Sequence, residues 1–239
     1  MTANQPSRPQ RVILPVLVAV GALVLAIVMA TGGKDGGDQK VSSDAKTTAA
    51  NSGSAATSPG DTTSANDPTS LGSANAPVVM VAYSEFQCPY CGRFAKESLP
   101  TLIERYVDPG VLRIEWRDLP YLGDESFRAS FGARAAAEQD AFWAFHDVLF
   151  AEQSPKPNSG HITDEYLVGV ATEIGLDVEQ FEVDYRSDAV NDAVRNDRDS
   201  GVRAGVNGTP AFFVNGTPIV GAQPVEVFVE VIEAAAAPQ

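Results

Sequence analysis

The chain has 239 residues, 44% of them hydrophobic, and a formal net charge of −14. That length admits one or two domains, and the acidity argues against nucleic acid or an anionic membrane surface as a partner. With two cysteines and two histidines in total, no zinc-finger spacing can be assembled, and no structural metal or other cofactor is expected.

Residues 1–11 contain Arg8 and Arg11 and no acid. Residues 12–30 follow as a run of 19, apolar except for Pro15 and Gly21, long enough to cross a bilayer as a helix. The basic residues ahead of the run predict a cytoplasmic N-terminus at 1–11, a single-pass anchor at 12–30 and an extracytoplasmic remainder. The alternative is a cleaved signal sequence, with Val28 and Ala30 before the cut and a secreted domain after it. The run is longer than the ~7–15 apolar residues of a usual signal core, which favours the anchor. Residues 31–75 are rich in Ser, Thr, Gly and Ala, with Val41 and Leu71 as the only large apolar side chains. They predict a disordered tether. Residues 76–239 suffice for one well-buried domain. Basic and acidic residues balance over residues 1–74, so the net charge belongs to the domain.

Residues 77–83 (PVVMVAY) form a continuous apolar run with several β-branched side chains, as in a buried central strand. Helical spacing begins after Cys91, with Ala95, Leu99, Leu102 and Tyr106 on one face. Cys88 therefore sits at a strand-to-helix junction, near the N-cap. Pro89 takes the first helical position, where a missing N–H costs nothing. Free amides and the positive helix end there stabilise a thiolate on Cys88. Cys91 lies one turn deeper and less exposed. The pair reads as an attacking sulfur and a resolving sulfur, because a disulfide closing so short a loop adds little stability. Pro100 is expected to bend the helix by removing the bond to the Lys96 carbonyl. Glu85, three residues before Cys88, is either a solvated loop acid or a proton relay.

Further along, Leu112, Ile114 and Trp116 alternate with Arg113, Glu115 and Arg117 at strand period. From Asp124 the pattern is helical, with Phe127, Phe131 and Ala135 on one face and Phe142, Phe145 and Leu149 on another. Thr163, Asp177 and Ser187 read as N-caps, and Asp177 with Gln180 as a capping box. Trp143 and His146 belong to an aromatic core stripe, and His161 to a solvated loop. The phrase VNGTP then occurs at 206–210 and again at 214–218. Both copies match the glycosylation acceptor pattern, which matters only in a glycosylating compartment. The second copy is a hairpin: strands at 211–214 and 217–220 flank Asn215–Gly216, the preferred type I′ turn, and Pro218 marks an edge strand. In the first, Thr209–Pro210 is a candidate cis peptide. A last helix begins near Gln223.

CPYC at 88–91, followed far downstream by GTPAFFVNG at 208–216, resembles the DsbA-like disulfide oxidoreductases of the thioredoxin superfamily over residues 76–236. The resemblance implies an α/β, thioredoxin-like fold with an inserted helical domain at about 124–205. It implies Cys88 and Cys91 as the catalytic pair, supported by Pro89 and Tyr90 between them and by Thr209 and Pro210 in a loop against them. Thioredoxins carry an acid six residues before the first cysteine; here that residue is Ala82, and only Glu85 is near. The implied function is an extracytoplasmic thiol–disulfide oxidoreductase that introduces disulfides into exported cysteine-containing clients and is reoxidised by a quinone-linked membrane partner. A reductase or isomerase, or a non-catalytic binding module of the same fold, are the alternatives. An isomerase of the family would carry a folded dimerisation domain where this chain has a tether.

Overall fold

The computed structural model describes residues 66–238. The segments read as cytoplasmic tail and anchor, and most of the tether, lie outside the described residues. Among those described, no helix is long and apolar enough to cross a membrane.

Five strands form one mixed sheet in the order β1-β3-β2-β4-β5. The central strand β2 (Val78–Ser84) is buried along its whole length, as its unbroken apolar run requires. It pairs in parallel with β3 (Leu112–Asp118) and antiparallel with β4 (Ala211–Val214). β5 (Thr217–Val220) closes one edge and holds Pro218 where no further strand needs its missing N–H. Asn215 (φ 44°) and Gly216 (φ 85°) are both left-handed, the requirement of a type I′ turn. The fold also reaches back ahead of Ala76, into the stretch read as tether. β1 (Ser70–Leu71) pairs with β3, and Asp67 meets Arg117 at 3.0 Å. Two residues are too few for a periodic signal.

One sheet face packs Val78, Met80, Ala82, Leu112, Ile114 and Phe212 against the redox helix and α8 (Val225–Ala236). On the other face the polar partners along β3 are not in solvent. Arg113, Glu115 and Arg117 are all buried. They join Asp118, Arg134 and Asp197 in one ion network, with Arg117–Glu115 at 2.7 Å and Arg134–Asp118 at 2.6 Å. Burial among acids pushes the Asp197 carboxyl up to about 6. Alternation in β3 therefore separates an apolar face from an ionic one, both covered.

The segment after β2 is α1 (Pro89–Arg93), a π turn over Phe94–Ser98, α2 (Leu99–Leu102), and a second π turn over Ile103–Val107. The break at Pro100 thus takes the form of widened turns: the Leu99 N–H reaches back to the Phe94 carbonyl just before the proline. The insert comprises α3 (Asp124–Ala137), α4 (Phe142–Ala151), α5 (Asp164–Glu173), α6 (Val178–Tyr185) and α7 (Asp188–Arg203). In α3 the most buried face is the small-residue one, Ala129, Ala133 and Ala136, while Phe127 and Phe131 are only half-buried. Close helix packing favours the small side, and the rings cover its flank. Thr163, Asp177 and Ser187 cap their helices as expected. The Asp177 box is only half formed. Its side chain accepts from the Gln180 N–H, but the Gln180 amide turns to Asp184 and Gln139 takes the Asp177 N–H.

Candidate active site

Strand β2 ends at Ser84, and the chain turns through Glu85–Phe86–Gln87 into α1. Cys88 is the N-cap residue, with extended backbone, and Pro89 is the first helical residue. Cys91 follows one turn on. Both cysteines are free thiols. Little of either sulfur meets solvent, Cys88 being 2% and Cys91 1% exposed, and Cys91 is the more deeply enclosed of the two. The lid over Cys88 is the loop holding the cis Thr209–Pro210 bond, whose Thr209 carbonyl lies 3.4 Å from Cys88 Sγ and accepts its hydrogen while that sulfur is protonated.

The difference between the two sulfurs is electrostatic. Hydrogen bonding from the Cys91 thiol, then from Thr209 and the backbone of Cys91 and Tyr90, outweighs burial and brings Cys88 from 9.0 to about 5. Burial first, then the neighbouring Cys88 charge, pushes Cys91 well above 9.0. One sulfur is a thiolate at neutral pH and its neighbour keeps its proton. Pro89 serves by starting the helix. Tyr90 serves through its backbone, since its ring is 58% exposed under the Arg93 guanidinium.

Glu85 is not a solvated loop acid. It is fully buried, and its carboxylate accepts from the Gln87 N–H and the Ser126 hydroxyl. Burial raises its carboxyl above the usual range despite those bonds, and the Cys88 charge adds to the rise. His161 is likewise only half in solvent, its ring tilted against Tyr166 with centroids 4.4 Å apart.

Four residues of the site escaped the sequence reading. Gln153, just after α4, donates to the Phe86 carbonyl at 2.7 Å and the Cys88 carbonyl at 2.9 Å. Its side chain lies against Gly92, where any Cβ would collide with it. Ser126 and Gln87 tie α3 to the loop before Cys88 at 2.8 Å. Tyr121, half exposed, reaches the Thr209 hydroxyl at 3.4 Å. The glycine directly after the second cysteine is the one local hint, because it leaves room for a side chain arriving from the insert.

A C-x-x-C pair opening a helix at the carboxyl end of a central parallel strand, faced by a cis-proline loop, defines a thioredoxin-fold dithiol site. A family model described as thioredoxin matches residues 64–234, and the chain belongs to that family, as one of its DsbA-like thiol–disulfide oxidoreductases. A probable disulfide bond formation protein D from Bacillus anthracis is 34% identical over 151 residues, 62% of this chain and 69% of the relative. A Na(+)/H(+) antiporter NhaA 3 from Salinispora tropica is 35% identical over 147 residues, 61% of this chain but 21% of that much longer protein. Among solved structures, oxidised BdbD from Bacillus subtilis matches with a TM-score of 0.68 at 22% identity, covering 75% of this chain and 98% of that one.

Proposed function

We propose that the protein is an extracytoplasmic disulfide donor, introducing disulfides into exported proteins through Cys88 and Cys91. The observation that carries this direction is the thiolate at Cys88, held at about 5. A reduced form stabilised in this way makes its disulfide a strong oxidant. A client thiolate attacks Cys88 Sγ in the Cys88–Cys91 disulfide, and Cys91 leaves. A second client thiol then displaces Cys88, leaving the client oxidised and the pair reduced. The Thr209 backbone and the half-exposed rings of Tyr90 and Tyr121 offer an extended client both hydrogen bonds and apolar contact beside the sulfur. Residues 12–30 anchor the domain outside the cytoplasm, and a quinone-linked membrane oxidase restores the disulfide. The name of the Bacillus anthracis relative supports the same direction.

The test is a Cys91→Ser variant expressed in cells and run on non-reducing gels from salt-washed membranes. Mixed disulfides between Cys88 and exported proteins are expected to accumulate. If no Cys88-dependent adducts form while the wild type is active, the proposed exchange fails.

A further inference from the structure

Cys91 is the sulfur that must lose a proton before it can attack, and it is the one least able to do so: it is 1% exposed, and burial pushes its thiol upward. Its surroundings include a small, partly open cavity. Ala82, Ser84, Cys91, Trp143, His146 and Phe150 are among its walls, and it offers about 10 Å³ to the centre of a water molecule, about one water's worth. Ala82 brings no titratable group to the Cys91 side. The only ionisable side chain in the cavity besides Cys91 comes from the insert, from His146 of α4.

His146 is buried among Phe86, Trp116, Phe142, Trp143 and Phe150, with the Trp143 and Phe150 rings each 4.8 Å away. One edge of the imidazole is occupied: Nδ1 is 2.8 Å from Asp147 Oδ1. An ionised carboxylate can only accept, so Nδ1 carries the hydrogen and Nε2 keeps its lone pair. Burial lowers the imidazole below its ordinary value, so the ring is neutral and able to accept at pH 7. Trp143 is another wall of the same cavity, and its indole N–H is buried with no hydrogen-bond partner among the described residues. A buried donor in that position calls for a water. Asp147 itself is 75% exposed and opens into a wide groove along α2.

We propose that His146 accepts the Cys91 proton through a single cavity water and hands it to solvent by way of Asp147, so that the inserted helix supplies the base of the resolving step. The proposal rests on the reading of Cys88 and Cys91 as the redox pair. The step balances within the sulfurs. The Cys91 S–H proton passes to the water, which gives one of its own to His146 Nε2. The Cys91 thiolate attacks Cys88 Sγ, the Cys88–Cys91 bond forms, and the bond from Cys88 to its partner sulfur breaks with release of a thiolate. The imidazolium returns to neutrality by passing its Nδ1 proton to the exposed Asp147 carboxylate. Other charged groups are engaged elsewhere. Lys96, Glu104 and Asp108 line the outer groove with Asp147. Asp118, next to Trp116 on β3, is taken by the Trp116 indole and Arg134. Glu85 is held by Gln87 and Ser126.

The experiment mixes reduced full-length protein with oxidised glutathione, quenches with acid at intervals, and follows the masses. Attack by Cys88 adds one glutathione and attack by Cys91 removes it. Cys91-dependent decay of that adduct in the wild type tests the redox-pair reading separately. In His146→Phe, which keeps a ring in the pocket, the decay at pH 6 is expected to slow roughly 100-fold, at the low end of what a positioned base supplies. Adduct formation should keep its wild-type rate. The decay should then climb with pH well past the point where the wild type has levelled off. A purely structural role would move the melting temperature and leave that profile in place. A folded His146→Phe whose decay stays within about threefold of wild type, with an unchanged profile, overturns the proposal, because even weak base catalysis exceeds that. Should this variant not fold, Asp147→Asn on the surface decides: its decay must slow and its profile shift, and an unchanged profile overturns the proposal.

Discussion

Titrating the redox couple tests the electrostatics of the site most directly. In the reduced protein Cys88 ionises at about 5, against 9.0 for an ordinary thiol. At pH 7 the folded sulfur is a thiolate, while an unperturbed one would be almost wholly protonated. The two pH units between the folded value and pH 7 stabilise the reduced fold by about 3 kcal/mol at ~1.4 kcal/mol per unit. Through a two-electron couple that is about 60 mV of added oxidising strength. The sign follows from the depressed value: the contribution grows as pH rises from 5 toward 9, and it is lost as pH falls through 5. Cys91, shifted upward, stays protonated over that window and adds nothing. The midpoint potential, measured against a dithiol of known potential, should therefore fall by about 30 mV per pH unit above pH 5 and by about 59 mV per unit below it. In parallel, urea titrations should show the reduced form gaining about 3 kcal/mol on the oxidised form between pH 5 and pH 7. A single slope near 59 mV per unit up to pH 8, with no break, would refute the assigned thiolate.

Two substitutions probe the walls of the site. Glu85→Gln removes a buried like charge beside Cys88, so selective alkylation should show Cys88 ionising at still lower pH. Because burial raises the Glu85 carboxyl, ionising it costs stability as pH rises. The variant's stability relative to wild type should thus improve from pH 4.5 to pH 7.5, and a flat difference in urea midpoints would count against the assignment. Gln153→Leu strips the Phe86 carbonyl of its donor, whereas the Cys88 carbonyl keeps the Gly92 N–H at 3.1 Å. Unfolding by urea should reveal a loss of about 1–3 kcal/mol, with the alkylation profile of Cys88 unmoved since neither bond reaches the sulfur. An unchanged midpoint would show the clamp to be idle.

What could be read ahead of the structure follows the range of the interactions involved. Local chemistry was legible: the N-cap place of Cys88, Pro89 at the helix start, the Asn215–Gly216 turn and the three insert caps each depend on a few neighbouring residues. The cis-proline loop came from resemblance and stands where it was expected. Long-range partners left no local mark. Glu85 looks like any loop acid until Ser126, 41 residues later, closes over it. Gln153 has no pattern of its own, being a polar residue after a helix. Alternation marked β3 as a strand but could not tell an exposed polar face from a buried ionic one. That distinction depends on Asp197, which arrives 79 residues after Asp118.

The register of the central strand also sets an order of assembly. Met80 of β2 pairs with Val214 of β4, a separation of 134 residues, whereas Val78 pairs with Leu112 only 34 residues on. A chain emerging from its N-terminal end can complete the β2–β3 pair and the redox helix while the whole insert and the Thr209–Pro210 loop are still to come. Pairings this distant in sequence are slow to form. Until they do, β2 presents a bare edge that can recruit foreign strands, and Cys88 and Cys91 stand without the loop that covers them. A chain at that stage would carry two uncovered thiols, open to the same exchange chemistry that its finished fold carries out.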